Sequence, residues 1–218
     1  MQERRFMNID FLVQALSQDV HPVSTRGLWK HMALVNCWAV AATIVLTAVA
    51  LGFRIELIAA GWASPVWMKW AYTLPLCVVA AHSTWRMAIP GATNTRLAWL
   101  AAPLLPFAVV AAIELAAAPV SQWPVLGLGH SWSTCPMWVA VLSVPMFAAT
   151  CAALRRMAPV QLRRAGALAG LAAGACAATI YALACDEASA VFVLIWYSLG
   201  IACAAGLGAI VGPVVLRW

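Results

Sequence analysis

Residues 97–118 read LAWLAAPLLPFAVVAAIELAAA, and Glu114 is the one charge among them. A helix of about 20 apolar residues, rising 1.5 Å per residue, crosses the hydrocarbon of a bilayer. Such a stretch has no business on a water-facing surface, and five others like it lie at about 31–53, 66–87, 136–154, 165–184 and 191–212. Segments rich in Pro, Gly, Ser and charge separate them, such as Pro90-Gly91-Ala92-Thr93-Asn94-Thr95-Arg96 and Arg155-Arg156-Met157-Ala158-Pro159. Backbone N–H and C=O groups in lipid must pair within their own segment, and the apolar runs are unbroken rather than alternating, so the spans are expected to be helices, not barrel strands. The expected fold is all-α: a polytopic bundle of six transmembrane helices over residues 31–218, preceded by a short tail at residues 1–30.

Composition agrees. Of 218 residues, 65% are hydrophobic and 9% charged, where a soluble domain carries about 25% charged residues. Mean hydropathy is +0.90. The net charge of +6, from 13 Lys and Arg against 7 Asp and Glu, is not gathered on one face, which argues against direct nucleic-acid binding. The basic residues stand at the ends of apolar runs. With the N-terminus inside, eleven of them (Arg4, Arg5, Arg26, Lys30, Arg86, Arg96, Arg155, Arg156, Arg163, Arg164 and Arg217) are cytoplasmic, and only Arg54 and Lys69 are outside. That asymmetry places both termini in the cytoplasm. The same map gathers Trp62, Trp67, Trp70, Trp123, Trp132 and Trp138 at the outer interface, and Trp29, Trp85, Trp99 and Trp218 at the inner one, as aromatic belts do.

The tail lacks the short apolar core of a secretory signal. Its four positive charges (Arg4, Arg5, Arg26, Lys30) nearly balance Glu3, Asp10 and Asp19, so it is no polybasic lipid anchor. Ile9, Leu12, Val13 and Leu16 fall at i, i+3, i+4 and i+7, with Asn8 or Asp10 placed to cap the start. This is the spacing of a short amphipathic helix. A helix of about 12 residues is marginal alone in water, so the segment is expected to order when its apolar face docks in a partner's groove.

Inside the bundle, Gly166, Gly170 and Gly174 recur every fourth residue, and Gly208 and Gly212 repeat the spacing. Small residues so placed let helix backbones approach closely, either within the bundle or in a homo-oligomer. Lys69 and Glu114 lie at matched depth near the outer ends of their helices, where an intramembrane ion pair would offset two costly charges. His82 and Arg86, one turn apart, are expected to anchor the inner interface.

Seven cysteines show no Cys-x-x-Cys and no zinc-ligand spacing. Cys37, Cys77, Cys151, Cys176 and Cys203 fall in apolar runs, where the thiol behaves as a small hydrophobe. Cys135 and Cys185 stand at outer helix ends, the second beside Asp186 and Glu187. In the expected map these two alone face an oxidising compartment; a structural disulfide, a redox sensor and a metal-bound pair all remain open for them. Catalytic patterns are missing: the chain has no Ser/His/Asp set, no Gly-rich phosphate loop and no His-Glu-x-x-His, and no cofactor is expected. The chain reads as a non-enzyme.

Trp132-Ser133-Thr134-Cys135, Leu154-Arg155-Arg156-Met157-Ala158-Pro159, Gly166-Ala167-Leu168-Ala169-Gly170, Tyr181-Ala182-Leu183-Ala184-Cys185-Asp186-Glu187, Trp196-Tyr197-Ser198-Leu199-Gly200 and Leu216-Arg217-Trp218 together resemble the NrsF family. These are bacterial inner-membrane anti-sigma factors, named for negative regulation of sigma F. Where the family often has His-Cys-Pro, this chain has Ala184-Cys185-Asp186, so no neighbouring His stands ready to bind metal. The resemblance implies that the tail sequesters an extracytoplasmic-function sigma factor and releases it when a stress signal reaches the outer side, with Cys135 and Cys185 as the sensing pair. Two other classes compete: a small membrane transporter or channel subunit with Lys69, Glu114 and His82 along its path, and a membrane thiol oxidoreductase, which the missing Cys-x-x-Cys opposes.

The charge asymmetry makes a direct prediction. A cysteine engineered beside Arg163 will be labelled by a membrane-impermeant maleimide only after cells are opened; labelling of intact cells would overturn the topology.

Overall fold

The computed structural model describes Gln14 and residues 25–54, 56, 59–61, 64–88, 97–157 and 159–217. The tail positions Ile9, Leu12, Val13 and Leu16, together with Trp62, Arg96 and Trp218, lie outside the described residues. Among the described residues the fold is all-helical, with no strand.

Helix α1 spans Thr25–Ala50 and α2 spans Val66–Ala88. A 3-10 turn at Leu97–Ala101 leads into α3, Leu104–Ala117. The stretch after it, expected as a loop, is helical in part: Val120–Gln122 runs into α4, Trp123–Leu128. Helices α5, Cys135–Leu142, and α6, Val144–Arg155, occupy the expected fourth span. Pro145 carries no N–H to continue the ladder, so the span breaks at Ser143, whose hydroxyl turns to the Ala140 carbonyl at 2.6 Å. Helix α7, Leu162–Tyr181, is followed by α8, Ala190–Phe192, a π turn at Val193–Tyr197 and α9, Ser198–Val215.

Among the described residues, four helical stretches are long and apolar enough to cross a membrane: Lys30–Ala50, Ala98–Ala117, Cys135–Arg155 and Ala190–Val215. The other two long helices are less apolar for different reasons. Helix α2 carries Lys69, His82 and Arg86. Helix α7 is built largely of Ala and Gly and is buried along nearly all of its length, from Ala165 to Tyr181. It is the central rod of the molecule: α2, α6 and α9 pack around it.

Small residues make that position possible. Helices α7 and α9 run antiparallel with Gly166 against Gly208 and Gly212, Gly170 against Ala204, and Gly174 against Ile201. A methyl group added at Gly166 would strike the Gly208 carbonyl oxygen and sit 2.8 Å from the Gly212 Cα. These contacts are backbone on backbone, which no side-chain rotation relieves. On its other side α7 receives side-chain hydrogen bonds from α2. Trp70 Nε1 donates to the Thr179 carbonyl at 3.0 Å, and the Cys77 thiol to the Ala172 carbonyl at 3.9 Å.

Exposed apolar side chains, among them Trp38, Val49, Leu105, Ile113, Ile210 and Val214, cover the outside of the bundle. A water-soluble fold would bury such residues; a lipid-facing one presents them.

Gly166→Val is therefore expected to destabilise the purified protein by about 1–3 kcal/mol or more through overpacking, read as a lower melting temperature in detergent. Gly206→Val, whose added carbon meets nothing within 4 Å, is expected to stay within about 0.5 kcal/mol of the parent.

Candidate functional site

The segment between α7 and α8, Ala182–Ser189, is irregular backbone held by several hydrogen bonds from other parts of the chain. The Arg54 N–H, just past α1, donates to the Leu183 carbonyl at 3.3 Å. From the first turn of α2, Lys69 Nζ donates to the Cys185 carbonyl at 2.6 Å. Glu187 Oε1 accepts from the His130 N–H at 2.6 Å, the Ser131 N–H at 3.1 Å and the Ser131 hydroxyl at 3.1 Å. Beyond the segment, Glu114 Oε2 accepts from the Val191 N–H at 3.1 Å while Ser189 Oγ accepts from the Phe192 N–H at 3.4 Å, so two side chains satisfy the first free N–H groups of α8. Arg54 and Asp186 form an ion pair at 3.1 Å on the surface.

Beneath this segment lie the two cysteines. Cys135 is 0% exposed and Cys185 4%, and both belong to one buried cluster with Tyr181 and Tyr197. The Tyr181 hydroxyl lies against both thiols. The Tyr197 hydroxyl is fully buried against the Cys185 thiol, its ring 5.7 Å from that of Tyr181.

Two pairs singled out in the sequence can be placed in this geometry. Lys69 and Glu114 do not form an ion pair. Matched depth says nothing about the direction in which each helix turns its side chain, and here each charge goes to a different backbone group: the ammonium to the Cys185 carbonyl past the end of α7, the carboxylate to the Val191 N–H in α8. Cys135 and Cys185 do not present their thiols outward. Cys135 opens α5 facing the end of α7, and Cys185 is covered by its own segment. All seven cysteines are free thiols, and no group of three or more His, Cys, Asp or Glu side chains among the described residues is arranged to hold a metal. A metal between Cys135 and Cys185 would find two sulfur ligands without a third such donor.

Sequence reasoning passed over Glu187 except as a neighbour of Cys185, and it did not single out Gly129, Tyr181 or Tyr197. Gly129 had a signal. It ends α4 at φ 56°, where a non-glycine residue is strained, and a Cβ there would come within 2.7 Å of Glu187 Oε2. The pair Gly129-His130 thus marks the seat of a carboxylate. Tryptophans brace the same end: Trp196 Nε1 donates to the Gly127 carbonyl at 2.7 Å, its ring 5.6 Å from that of Trp132. His82 is elsewhere, on the wall of a cavity between α1, α2 and α6, so the three residues of a transport path are not brought together.

The sequence pattern of a family described as "Negative regulator of sigma F" (NrsF) matches residues 16–218. The chain belongs to the NrsF family. It is 34% identical over 213 residues to the "Probable anti-sigma-F factor NrsF" of Azospira oryzae, and 32% identical over 214 residues to the "Anti-sigma-F factor NrsF" of Caulobacter vibrioides. Each alignment covers 97% of this chain and the whole of the relative. No solved structure matches the chain. The NrsF family is one of regulators, not of enzymes.

If the Glu187 carboxylate holds the segment over the thiols, Glu187→Gln is expected to raise the rate at which Cys135 reacts with maleimide in the folded protein by about tenfold or more, since a hydrogen bond to a charged group contributes about 1.5–3 kcal/mol. Asp186→Asn removes only an exposed pair worth about 0–1 kcal/mol, and the rate should change by less than about fivefold.

Proposed function

We propose that this chain is a six-span anti-sigma factor of the bacterial inner membrane. Both termini are cytoplasmic. Its N-terminal segment sequesters an extracytoplasmic-function sigma factor through Ile9, Leu12, Val13 and Leu16, and lets it go when the thiols of Cys135 and Cys185 change state on the periplasmic side. Kinship with two anti-sigma-F factors over nearly the full length supports the partner class. One structural observation carries the sensing role: the Cys185 carbonyl, on a segment tied to three other parts of the chain, is bonded to the Lys69 ammonium, and Cys185 shares its buried cluster with Cys135.

The chemistry of release follows from burial. Oxidation of either thiol, or its capture by a thiophilic ion, places a polar or charged group where neutral sulfur was packed. A buried polar group without partners is costly, so the segment must rearrange, and its ties to α2, α8 and the turn after α4 rearrange with it. A coupling of about 1–3 kcal/mol between the two ends of the bundle suffices to weaken the tail's grip 5- to 150-fold. The connection runs down α7 and α9, whose facing glycines offer no interlocking side chains against a slide.

The test is sigma-dependent transcription in cells carrying each variant. Leu12→Asp with Leu16→Asp should release transcription constitutively and abolish co-purification of the sigma factor, because each unpaired charge forced into an apolar groove costs several kcal/mol. Cys135→Ser and Cys185→Ser should each leave the protein inserted but fix transcription at one level regardless of thiol-reactive stress. Normal induction in both serine variants would remove the sensing role; full repression by the tail double variant would move the sigma-factor contact to another surface.

A further inference from the structure

Helix α1 packs mainly on α6 rather than on α2, and a cleft of about 420 Å³ lies between these helices, within the usual range of ligand sites. Met32, Ala33 and Asn36 of α1 and Val78, Ala81 and His82 of α2 form much of its wall. Ala33, Val78, Ala81 and His82 are exposed, so the cleft opens sideways from the bundle, where a membrane protein meets lipid. Most of the wall is apolar. Asn36 is oriented: its Nδ2 donates to the Met32 carbonyl at 2.8 Å, and its Oδ1 lies 2.9 Å from the Thr150 hydroxyl. One N–H of the amide remains to donate, and the imidazole of His82 supplies another donor.

Cations stand at one end of this cleft. Lys30 comes one turn before Ala33 on α1, and Arg86 one turn after His82 on α2. Residues three or four apart share a helix face, so each cation continues the cleft-lining face of its own helix. Since α1 begins where α2 ends, both lie beyond the same end of the cleft, and both are exposed. Among residues 25–218 no carboxylate is placed to pair with them. The acids there are Glu56, Glu114, Asp186 and Glu187, and they belong to the opposite end of the bundle: past α1, in the last turn of α3 and after α7.

We propose that this cleft binds an anionic phospholipid. One acyl chain lies along the apolar wall, ester carbonyls accept from Asn36 and His82, and Lys30 and Arg86 hold the phosphate. Shape and charge together select the class. An apolar cleft open to lipid takes a chain, two cations beyond its end take an anion, and a phospholipid with a negative headgroup joins the two in one molecule. A zwitterionic headgroup brings a cation of its own to the same place. The bound lipid fills the space between α1 and α2 and braces α1, the helix that continues from the N-terminal segment. The site rests on the geometry of this end of the bundle; the assignment of the lipid to the cytoplasmic leaflet rests on the topology proposed above.

The experiment titrates the full chain in detergent micelles with dioleoyl phosphatidylglycerol or dioleoyl phosphatidylcholine and reads bound lipid by native mass spectrometry. One phosphatidylglycerol should be retained per chain, in preference to phosphatidylcholine. Lys30→Gln and Arg86→Gln should each weaken its binding about fivefold, and the two together about thirtyfold, with phosphatidylcholine unaffected. Arg163→Gln with Arg164→Gln removes as much charge from a different hollow, beside Pro213 of α9, and should change the affinity less than about twofold. Ala81→Trp, on the exposed wall, should fill the cleft and exclude the lipid while the lipid-free protein melts as the parent does. A phosphatidylglycerol with a photoreactive diazirine in one chain should attach to α1 and α2 at the cleft. Equal retention of the two lipids, equal weakening by the Arg163 and Arg164 pair, or attachment only to other helices would each overturn the site. Micelles have no sides, so the titration is independent of topology; labelling of the cysteine beside Arg163 in intact cells would overturn the topology and leave the lipid site standing.

Discussion

The contact between Gly166 on α7 and Gly208 and Gly212 on α9 is the constraint from which the rest of the packing follows. In lipid, helices gain little by hiding apolar surface from one another, because the surroundings are as apolar as their side chains; they gain by close packing. With hydrogen atoms in place of side chains, two backbones come near enough for the carbonyls of one to touch the Cα atoms of the other. That approach makes α7 thin enough to be surrounded. Helix α2 then reaches its carbonyls with Trp70 and Cys77, and α6 closes on the remaining side.

A central helix of Ala and Gly has few side chains with which to specify how its neighbours are turned. Polar groups supply that specificity at one end. The segment Ala182–Ser189 meets three other parts of the chain: Lys69 and the Arg54 N–H donate to its carbonyls, and its own Glu187 accepts from His130 and Ser131; just beyond it, Glu114 accepts from the Val191 N–H. Each tie would leave a charged or polar group unsatisfied if the helices rotated. The close-packed rod thus sets distances, and the polar segment sets rotations. At the opposite end Arg155 donates to the Val215 carbonyl, fastening the end of α6 to the end of α9.

The helices were legible in the sequence because their signal is compositional: an apolar stretch near 20 residues long survives any error in orientation. Glycine spacing was legible for a similar reason, since residues four apart share a helix face whatever surrounds them. What the sequence left open was the direction in which side chains point around each axis. Lys69 and Glu114 illustrate this, because depth places both near one end of the bundle while the angle about α2 and α3 decides what each meets. Cys135 is a second case. Its position at the start of a helix suggested exposure, yet α5 begins beneath the end of α7, and the residue is enclosed. The break at Ser143 was readable from Pro145 but lay hidden in a stretch apolar enough to pass as one continuous helix.

Burial of the candidate sensing thiols bears on how such a site would work. A thiol exposed to the periplasm would react quickly with any oxidant and would also be altered by every passing reagent. A thiol under a tied segment reacts only when the segment opens, so the ties of Glu187 and Lys69 set the threshold along with the chemistry of sulfur. Once a thiol has been modified while open, the same burial works in the other direction. The closed state must then accommodate a larger and more polar group among Tyr181, Tyr197 and Cys135, and apart from the two tyrosine hydroxyls the enclosure has little to offer it. Under the proposed function, the tied segment would convert a change of a few atoms at Cys185 into a choice between two arrangements of the backbone, and α7, running from that segment to Leu162 at the far end, is the element that would carry the difference across the bundle.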